Sequence, residues 1–597
     1  AVGFSTIGAQ KLIRKFDTPE FGSSKDETVT GKGVGLFVNG VEAYSYKSSD
    51  KIYYGPVENT KVLNQGSDYD VVNPPRLSVQ QIGHTGIGAS VIAHVAGDID
   101  EIKVISRGLD YQSTPDVKIT GGNGNATAEV KMKLAPHEVF FDSTSVGGIL
   151  NTSTDKFTFT EAHGFKHGEE IIYGTDGSTT IGIGTTPGNL INKSSYFIIK
   201  NDDYTVSLAK TRNEALSGIT TIPISTNGGG LHKFETKISR LKVDAIQILS
   251  STKFFNRENT VSSVGINTFK DIINIPNHRY SSGELIRYGG SDGTGISGIS
   301  TGLDYYVVKI DDNNFRVSIS TSLVDFVSLN QPGSGTHTFN YPPISVEVIG
   351  AQGITTSNAT ATPVIRGSID GVHVKVKGEN YGSKIINDNH NPEIVVIEGS
   401  KAAFDPVIVN GQIDSVTIKS GGKDFFSTPD IIINGDGVGA KLSARVSNGK
   451  VIAVDVITKG ANYTENGTTI KAVTPGDGVI VSTSLKTWTI NNVNRYAKFG
   501  DVSDDDGYYG ELKDAKNGYP YINYYASRKL REQLDDDGAS HSPILGWAYD
   551  GHPIYGPYAT GNVNGTGPLK YMKSSYAKIS AGQRVDGPPL TDFEAGF

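Results

Sequence analysis

Five times this chain places glycine, two residues and then an aromatic ring at the end of an extended run. The copies are Gly66-Ser-Asp-Tyr69, Gly108-Leu-Asp-Tyr111, Gly378-Glu-Asn-Tyr381, Gly422-Lys-Asp-Phe425 and Gly460-Ala-Asn-Tyr463. Within each group they recur about every 40 residues, the spacing of repeat architectures. Glycine permits a turn with positive φ, and the aromatic is placed to cap a small core. Two copies continue alike, through Ser-Thr-Pro115-Asp and Ser-Thr-Pro429-Asp. There proline ends the loop and starts the next strand. A chain so punctuated can build many short β units; it cannot build one large helical core.

A second signature lies between the copies, Gly-x-Gly-Ala or Gly-Asn-Ala, at Gly86–Ala89, Gly124–Ala126 and Gly437–Ala440. Alternating residues flank Asn448-Gly449, the pattern of a two-residue hairpin. Asn410-Gly411 and Asn39-Gly40 repeat it. These glycines read as turns, because no Gly-x-x-x-x-Gly-Lys-Ser/Thr phosphate loop occurs.

The middle of the chain carries a different unit twice. "FTFTEAHGFKHGEEIIYG" and "INIPNHRYSSGELIRYGG" open the two copies. His163 aligns with His278, Gly168 with Gly283, Tyr173 with Tyr288 and His232 with His337. A metal pair of His163 and His232 lacks a third ligand at useful spacing, so each histidine reads as a local hydrogen-bonding group at a strand end.

Bulk properties narrow the function. The 597 residues exceed one ordinary core, so several domains are expected. A net charge of −8 without a basic stripe disfavours nucleic acid. No apolar run reaches membrane-spanning length. With 0 Cys, disulfide scaffolds and thiolate metal sites are excluded. The first residues lack Met and any signal-peptide pattern, so the chain reads as a processed product or an ordered fragment.

From about Thr487 the composition changes. Residues 521–534, "YINYYASRKLREQL", are the best helix candidate, with Ile522, Ala526, Leu530 and Leu534 on one side. Then comes "HSPILGWAYDGHPIYGPY", residues 541–558. His541, Asp550 and His552 are its metal candidates, as a two-histidine, one-carboxylate set. The glycine and proline spacing reads instead as a double turn, with Trp547, Tyr555 and Tyr558 burying the corner. Ser542 sits in no nucleophile elbow, so no catalytic residue is assigned. Asp504-Asp-Asp-Gly and Asp535-Asp-Asp-Gly lack full calcium-loop spacing and read as solvated loops.

Two resemblances follow from these residues. The paired middle units, over about 141–343, resemble a β module of bacteriophage tail and fibre proteins. The stretch Gly546, Ala548, Asp550, Gly551, Pro553, Ile554, Tyr555, Gly556, Pro557, Tyr558 resembles the signature of the YHYH domain family, found in virion proteins of marine cyanophages and in secreted bacterial proteins. The Tyr-His-Tyr-His run that names the family is missing, and "YPYINYYAS" has no histidine in its place. The final "LTDFEAGF" stops where the family continues, so the domain reads as truncated.

The expected fold is mainly β and multidomain, with repeated small sandwich- or prism-like units and a C-terminal α+β YHYH-like domain. The segments are 1–140 (repeats), 141–245 and 246–345 (paired modules), 346–475 (repeats) and 476–597 (YHYH-like). The resemblance implies a non-enzymatic virion component of a tail, baseplate or fibre, assembled in the host cytoplasm. Its partners would be copies of itself and other virion proteins, with no cofactor. An adhesin for host-surface glycan, stacking sugars on Tyr53, Tyr54 or Tyr305, is the second reading. A metal-dependent enzyme at His541, Asp550 and His552 is the third.

Overall fold

The computed structural model describes residues 13, 15–19, 33–45, 47–81, 83, 85–122, 126–143, 149–159, 162–175, 179–184, 188–219, 221–350, 358–491, 522–523, 528–573 and 587. The chain is mainly β, in many small antiparallel sheets with no closed barrel among the described residues. Among them, no helix is long and apolar enough to cross a membrane.

The repeats explain themselves once their partners are visible. In every copy the glycine and the residue just before the aromatic are left-handed, at φ 62° and 62° for Gly66 and Asp68, and 65° and 65° for Gly460 and Asn462. That residue is Asp or Asn all five times, the side chains that tolerate this region best after glycine. The double left-handed step swings the ring back across the ribbon. It lands on a glycine that opens the partner strand: Tyr69 on Gly476, Tyr381 on Gly86, Phe425 on Gly399, Tyr463 on Gly437. A Cβ at any of these four seats would overlap the ring. The tyrosine hydroxyl then accepts the amide three residues on, from Val479 (3.2 Å), Ala89 (3.2 Å) or Ala440 (3.3 Å). Tyr111 accepts the Ala359 amide at 2.6 Å. The Gly-x-Gly-Ala signature is thus the socket of the Gly-x-Asx-aromatic clamp. Its copy at residues 124–126 lies partly outside the described residues.

Two clamps close local hairpins, Ser400–Val409 with Gln412–Lys423 and Val438–Ser447 with Lys450–Ala461. Asn410-Gly411 (φ 52°, 74°) and Asn448-Gly449 (φ 50°, 73°) have the paired positive φ of a type I′ turn. Each tip serves the other hairpin: Gly411 O accepts the Tyr463 amide (2.9 Å), and Gly449 O the Phe425 amide (3.0 Å).

The clamps of Tyr69 and Tyr381 close ribbons between distant segments. Lys47–Ser67 pairs with Asp477–Asn491, and Ile87–Ser106 with Thr360–Glu379. Leu77–Gln80 meets Glu393–Val396, and Asp116–Thr120 meets Ser345–Ile349. Segments 1–140 and 346–475, separate in the sequence reading, therefore form one interleaved body. Asp477–Asn491 belongs to that body by pairing, although the sequence reading put it with the C-terminal domain. Local turn signals mark the hairpins; nothing local marks which distant strand a ribbon will choose.

The middle units are inserted in this body and share one plan. Each is a seven-stranded antiparallel sheet with the same strand order. The first runs from Glu138–Asp142 to Leu231–Thr236, and the second from Glu258–Ser262 to Thr336–Asn340. The aligned histidines hold equivalent posts. His163 Nδ1 accepts the Phe165 amide (3.0 Å) and Nε2 donates to Asp202 O (2.9 Å); His278 does the same with Tyr280 (2.9 Å) and Asp311 (2.9 Å). His232 and His337 receive the Tyr173 and Tyr288 hydroxyls at 2.7 and 2.9 Å. His163 and His232 are each engaged in these local hydrogen bonds.

Candidate functional site

The C-terminal signature folds onto strands from the other end of the described chain. Gly33–Phe37 and Glu42–Tyr44 form a hairpin, and Gly33–Phe37 pairs with Ile544–Ala548. Ile544–Ala548 in turn pairs with Pro553–Tyr555. Leu545, Phe37, Ala43 and Leu530 make the buried core of this sheet. Leu530 lies on the short helix Arg528–Gln533. The expected helix over 521–534 is thus realised only at its end. Ile522–Asn523 is a strand, parallel to Glu42–Tyr44, and Ala526 lies outside the described residues.

The two hairpins of this sheet use the same turn. Phe37 and Val41 flank the loop Val38-Asn39-Gly40, where Gly40 N donates to Phe37 O at 2.9 Å. Ala548 and His552 flank Tyr549-Asp550-Gly551, where Gly551 N donates to Ala548 O at 2.9 Å. Gly40 and Gly551 carry φ of 82° and 86°. This is a three-residue loop ending in left-handed glycine, so Asn39-Gly40 is not the two-residue turn its sequence suggests. Asn39 Oδ1 accepts the Val41 amide, and Asp550 Oδ1 accepts the His552 amide, both at 3.1 Å. Asp550 therefore does at one turn what an uncharged asparagine does at the other.

The metal candidates are not gathered into one set. His552 Nδ1 lies 3.3 Å from Asp550 Oδ1. His541 stands instead edge-on to Tyr555, with centroids 5.1 Å apart, and its Nδ1 donates to Ser542 O at 2.8 Å. Among the described residues, no group of three or more His, Asp or Glu could hold a metal ion.

What organises the corner is Asp536, which is buried rather than solvated as the run of aspartates suggests. Its side chain is 1% exposed. Arg531 Nε donates to Oδ2 at 2.6 Å, and Ser542 Oγ to Oδ1 at 2.6 Å. Ser542 Oγ also accepts the Tyr558 amide at 2.9 Å. The hydrogen bond to Asp536 raises the Arg531 pKa above its ordinary value. Gly556 runs so close to Asp536 Oδ2 that a Cβ there would overlap it. Ser542 and Gly556, at either end of the signature, thus share one buried carboxylate. A buried acid after the helix was signalled only by Arg531, five residues earlier; a run of three aspartates hides which one turns inward. The other cluster, Asp504 to Gly507, lies outside the described residues.

Trp547 and Tyr555 do not bury the corner. They are 41% and 45% exposed, while Leu545 between the strands is 0%. Trp547 pairs across the strands with Pro553, and Tyr555 follows two residues on, so the three share the outer face. The arrangement exposes Trp547 and Tyr555 on one face, with His541 against Tyr555. By contrast, Tyr54 and Tyr305 are each 5% exposed and hydrogen-bonded inside, to Asn380 Oδ1 (2.9 Å) and from the Ser300 amide (2.8 Å). Tyr53 is half-buried. Neither Tyr54 nor Tyr305 is available for stacking, because strand alternation turns both inward.

The class defined so far is a mainly β chain of clamped ribbons with a duplicated module and a C-terminal mixed sheet. Residues 450–597 match the model of the YHYH family, described as YHYH protein. The match begins within the last local hairpin, so it spans part of the clamped body as well as the corner. No curated protein and no solved structure matches the chain.

Proposed function

We propose that this chain is a structural component of a bacteriophage virion, in the tail, baseplate or fibre. It acts through β-rich contacts with copies of itself and with other virion proteins, and no residue has a catalytic role. The observation that carries the reading is the repeated clamp. One device, used five times, closes local hairpins and ties distant segments into a single body, and suits a part that bears load. A chain without cysteine can assemble in a reducing cytoplasm and persist outside it. Immunogold labelling of purified particles with an antibody to this chain tests the proposal. Label on tail, baseplate or fibre is expected; particles whose mass spectra lack its peptides overturn it.

A second reading, an adhesin for surface glycan, is favoured by the exposed Trp547–Tyr555 face. Aromatic faces stack on sugar rings, and His541 supplies a polar edge. Glycan-array binding that disappears in Trp547→Ala supports it; unchanged binding in that variant removes this face from the reading.

A further inference from the structure

The second module is seated on the body through two histidines. His94 lies on Ile87–Ser106 and His373 on its partner Thr360–Glu379. Their rings stack with centroids 6.0 Å apart and 7° between planes. Both reach across to Glu258–Ser262, the first strand of the module. His94 Nε2 donates to Glu258 O at 3.0 Å. His373 Nε2 accepts the Thr260 amide at 3.2 Å and meets Thr260 Oγ1 at 3.0 Å.

The charges around the pair leave little room for another proton. Arg257 and Arg279 both turn to Asp370, Arg257 Nη2 at 2.5 Å from Oδ2 and Arg279 Nη1 at 3.7 Å from Oδ1. Lys375 pairs with Glu258 at 3.0 Å. Glu284 also faces Arg257 from the module, so three cations are already matched by three carboxylates before either histidine is charged. Burial adds to this. His94 Nδ1, Arg257 Nε, Asn259 Oδ1 and Asp370 Oδ1 are all buried here without a hydrogen-bond partner. A proton on His94 Nδ1 would meet no acceptor. A proton on His373 Nε2 would turn an acceptor into a donor pointed at the Thr260 N–H.

We propose that the His94–His373 pair makes this seat acid-sensitive, so that protonation releases Glu258–Ser262 from the body while the module's own sheet stays folded. In the closed seat burial holds His94 down at about 3 and His373 at about 4. A freely exposed imidazole titrates near 6.5. Both values are depressed in the closed state. The seat is therefore at full strength above about pH 6.5 and weakens as pH falls below it. At pH 5, full exposure of either histidine would favour opening roughly 30-fold, and of both roughly 1000-fold.

Hydrogen exchange of the full chain, followed by mass spectrometry and corrected for intrinsic rates, tests this at pH 7 and pH 5. Within the peptide covering 258–262, the Thr260 amide, which bonds His373 rather than the module's sheet, should lose protection by two to three orders of magnitude, while the amides that bond Thr336–Asn340 keep theirs. The inner module strands Asp304–Lys309 and Asn314–Ser318 should keep theirs. In H94Q/H373Q the difference between the two pH values should shrink to a few-fold. Loss of protection in all three strands together would mean the module unfolds rather than undocks, and overturns the proposal. So would a full acid response in the double glutamine variant, or no response in the unaltered chain.

Discussion

Gly437→Ala adds one methyl group beneath the Tyr463 ring. The backbone does not resist it, since Gly437 is absent from the positive-φ positions. The ring does, because the new Cβ would overlap three of its carbons. Tyr463 is 5% exposed and packs in the core of the two local hairpins, so it has nowhere to move. Overpacking of this kind costs about 1–3 kcal/mol. Tyr463→Ala alone should cost about 3–5 kcal/mol, from the vacated core volume. Combined with Gly437→Ala, however, it leaves room for the methyl. In that background the alanine should be neutral, or stabilising by about 0.4–1 kcal/mol through the unfolded chain. The coupling between the two positions is then about 1–3 kcal/mol or slightly more. A chain of several domains has no single unfolding free energy. Hydrogen exchange of peptides within 400–473 in the full chain supplies the local value instead. An equal penalty for Gly437→Ala in both backgrounds would show that the ring is not what the glycine accommodates.

Three further outcomes are expected. Arg531→Met should strand the buried Asp536 carboxylate and cost about 3 kcal/mol at the C-terminal corner, read as faster exchange of peptides within 540–560; Asp536→Asn in the same chain should recover much of it. Gly449→Ala should cost about 1–2 kcal/mol, because φ there is 73°, and should loosen the Phe425 clamp, measured by exchange of the 420–434 peptide. Tyr173→Phe and Tyr288→Phe each remove a hydroxyl that bonds a buried histidine and accepts a backbone amide, from Ile181 at 3.3 Å and Ile296 at 3.0 Å. Each should cost about 1–3 kcal/mol. Penalties that differ by more than about 1 kcal/mol in local exchange would argue against equivalent roles in the two modules.

Much of the local structure was legible because glycine, asparagine and proline announce their backbone demands. The type I′ turns at 410–411 and 448–449, the strands after Pro115 and Pro429, and the matched histidines of the two modules all follow from residue chemistry at short range. Partners at long range did not. Nothing in Gly66-Ser-Asp-Tyr69 says that its socket is Gly476 rather than a nearer glycine, since the sockets share one short motif. At the corner, aromatic content misled. Trp547 and Tyr555 are large and apolar, yet Tyr555 alternates with Ile554, and a bulge between Ile544 and Gly546 turns Trp547 away from the face that Leu545 buries, so the core lies on the other side. Asp536 was missed for the opposite reason: a charged residue reads as solvated until its cation is seen beside it.

The nesting of the ribbons imposes an order of completion on a chain made from one end. The two modules and the hairpins of 400–461 can close as soon as they emerge, because their strands are neighbours in sequence. Lys47–Ser67 must wait for Asp477–Asn491, and Tyr69 for an amide 410 residues downstream. Glu42 waits longer still, for the hydroxyl of Tyr549, 507 residues away. Until then an early, strand-prone segment is held open with its edges unpaired, where a neighbouring copy could take the empty place. The tight seats of the clamps, which accept only glycine beneath the ring, then discriminate against a ribbon that closes in the wrong register.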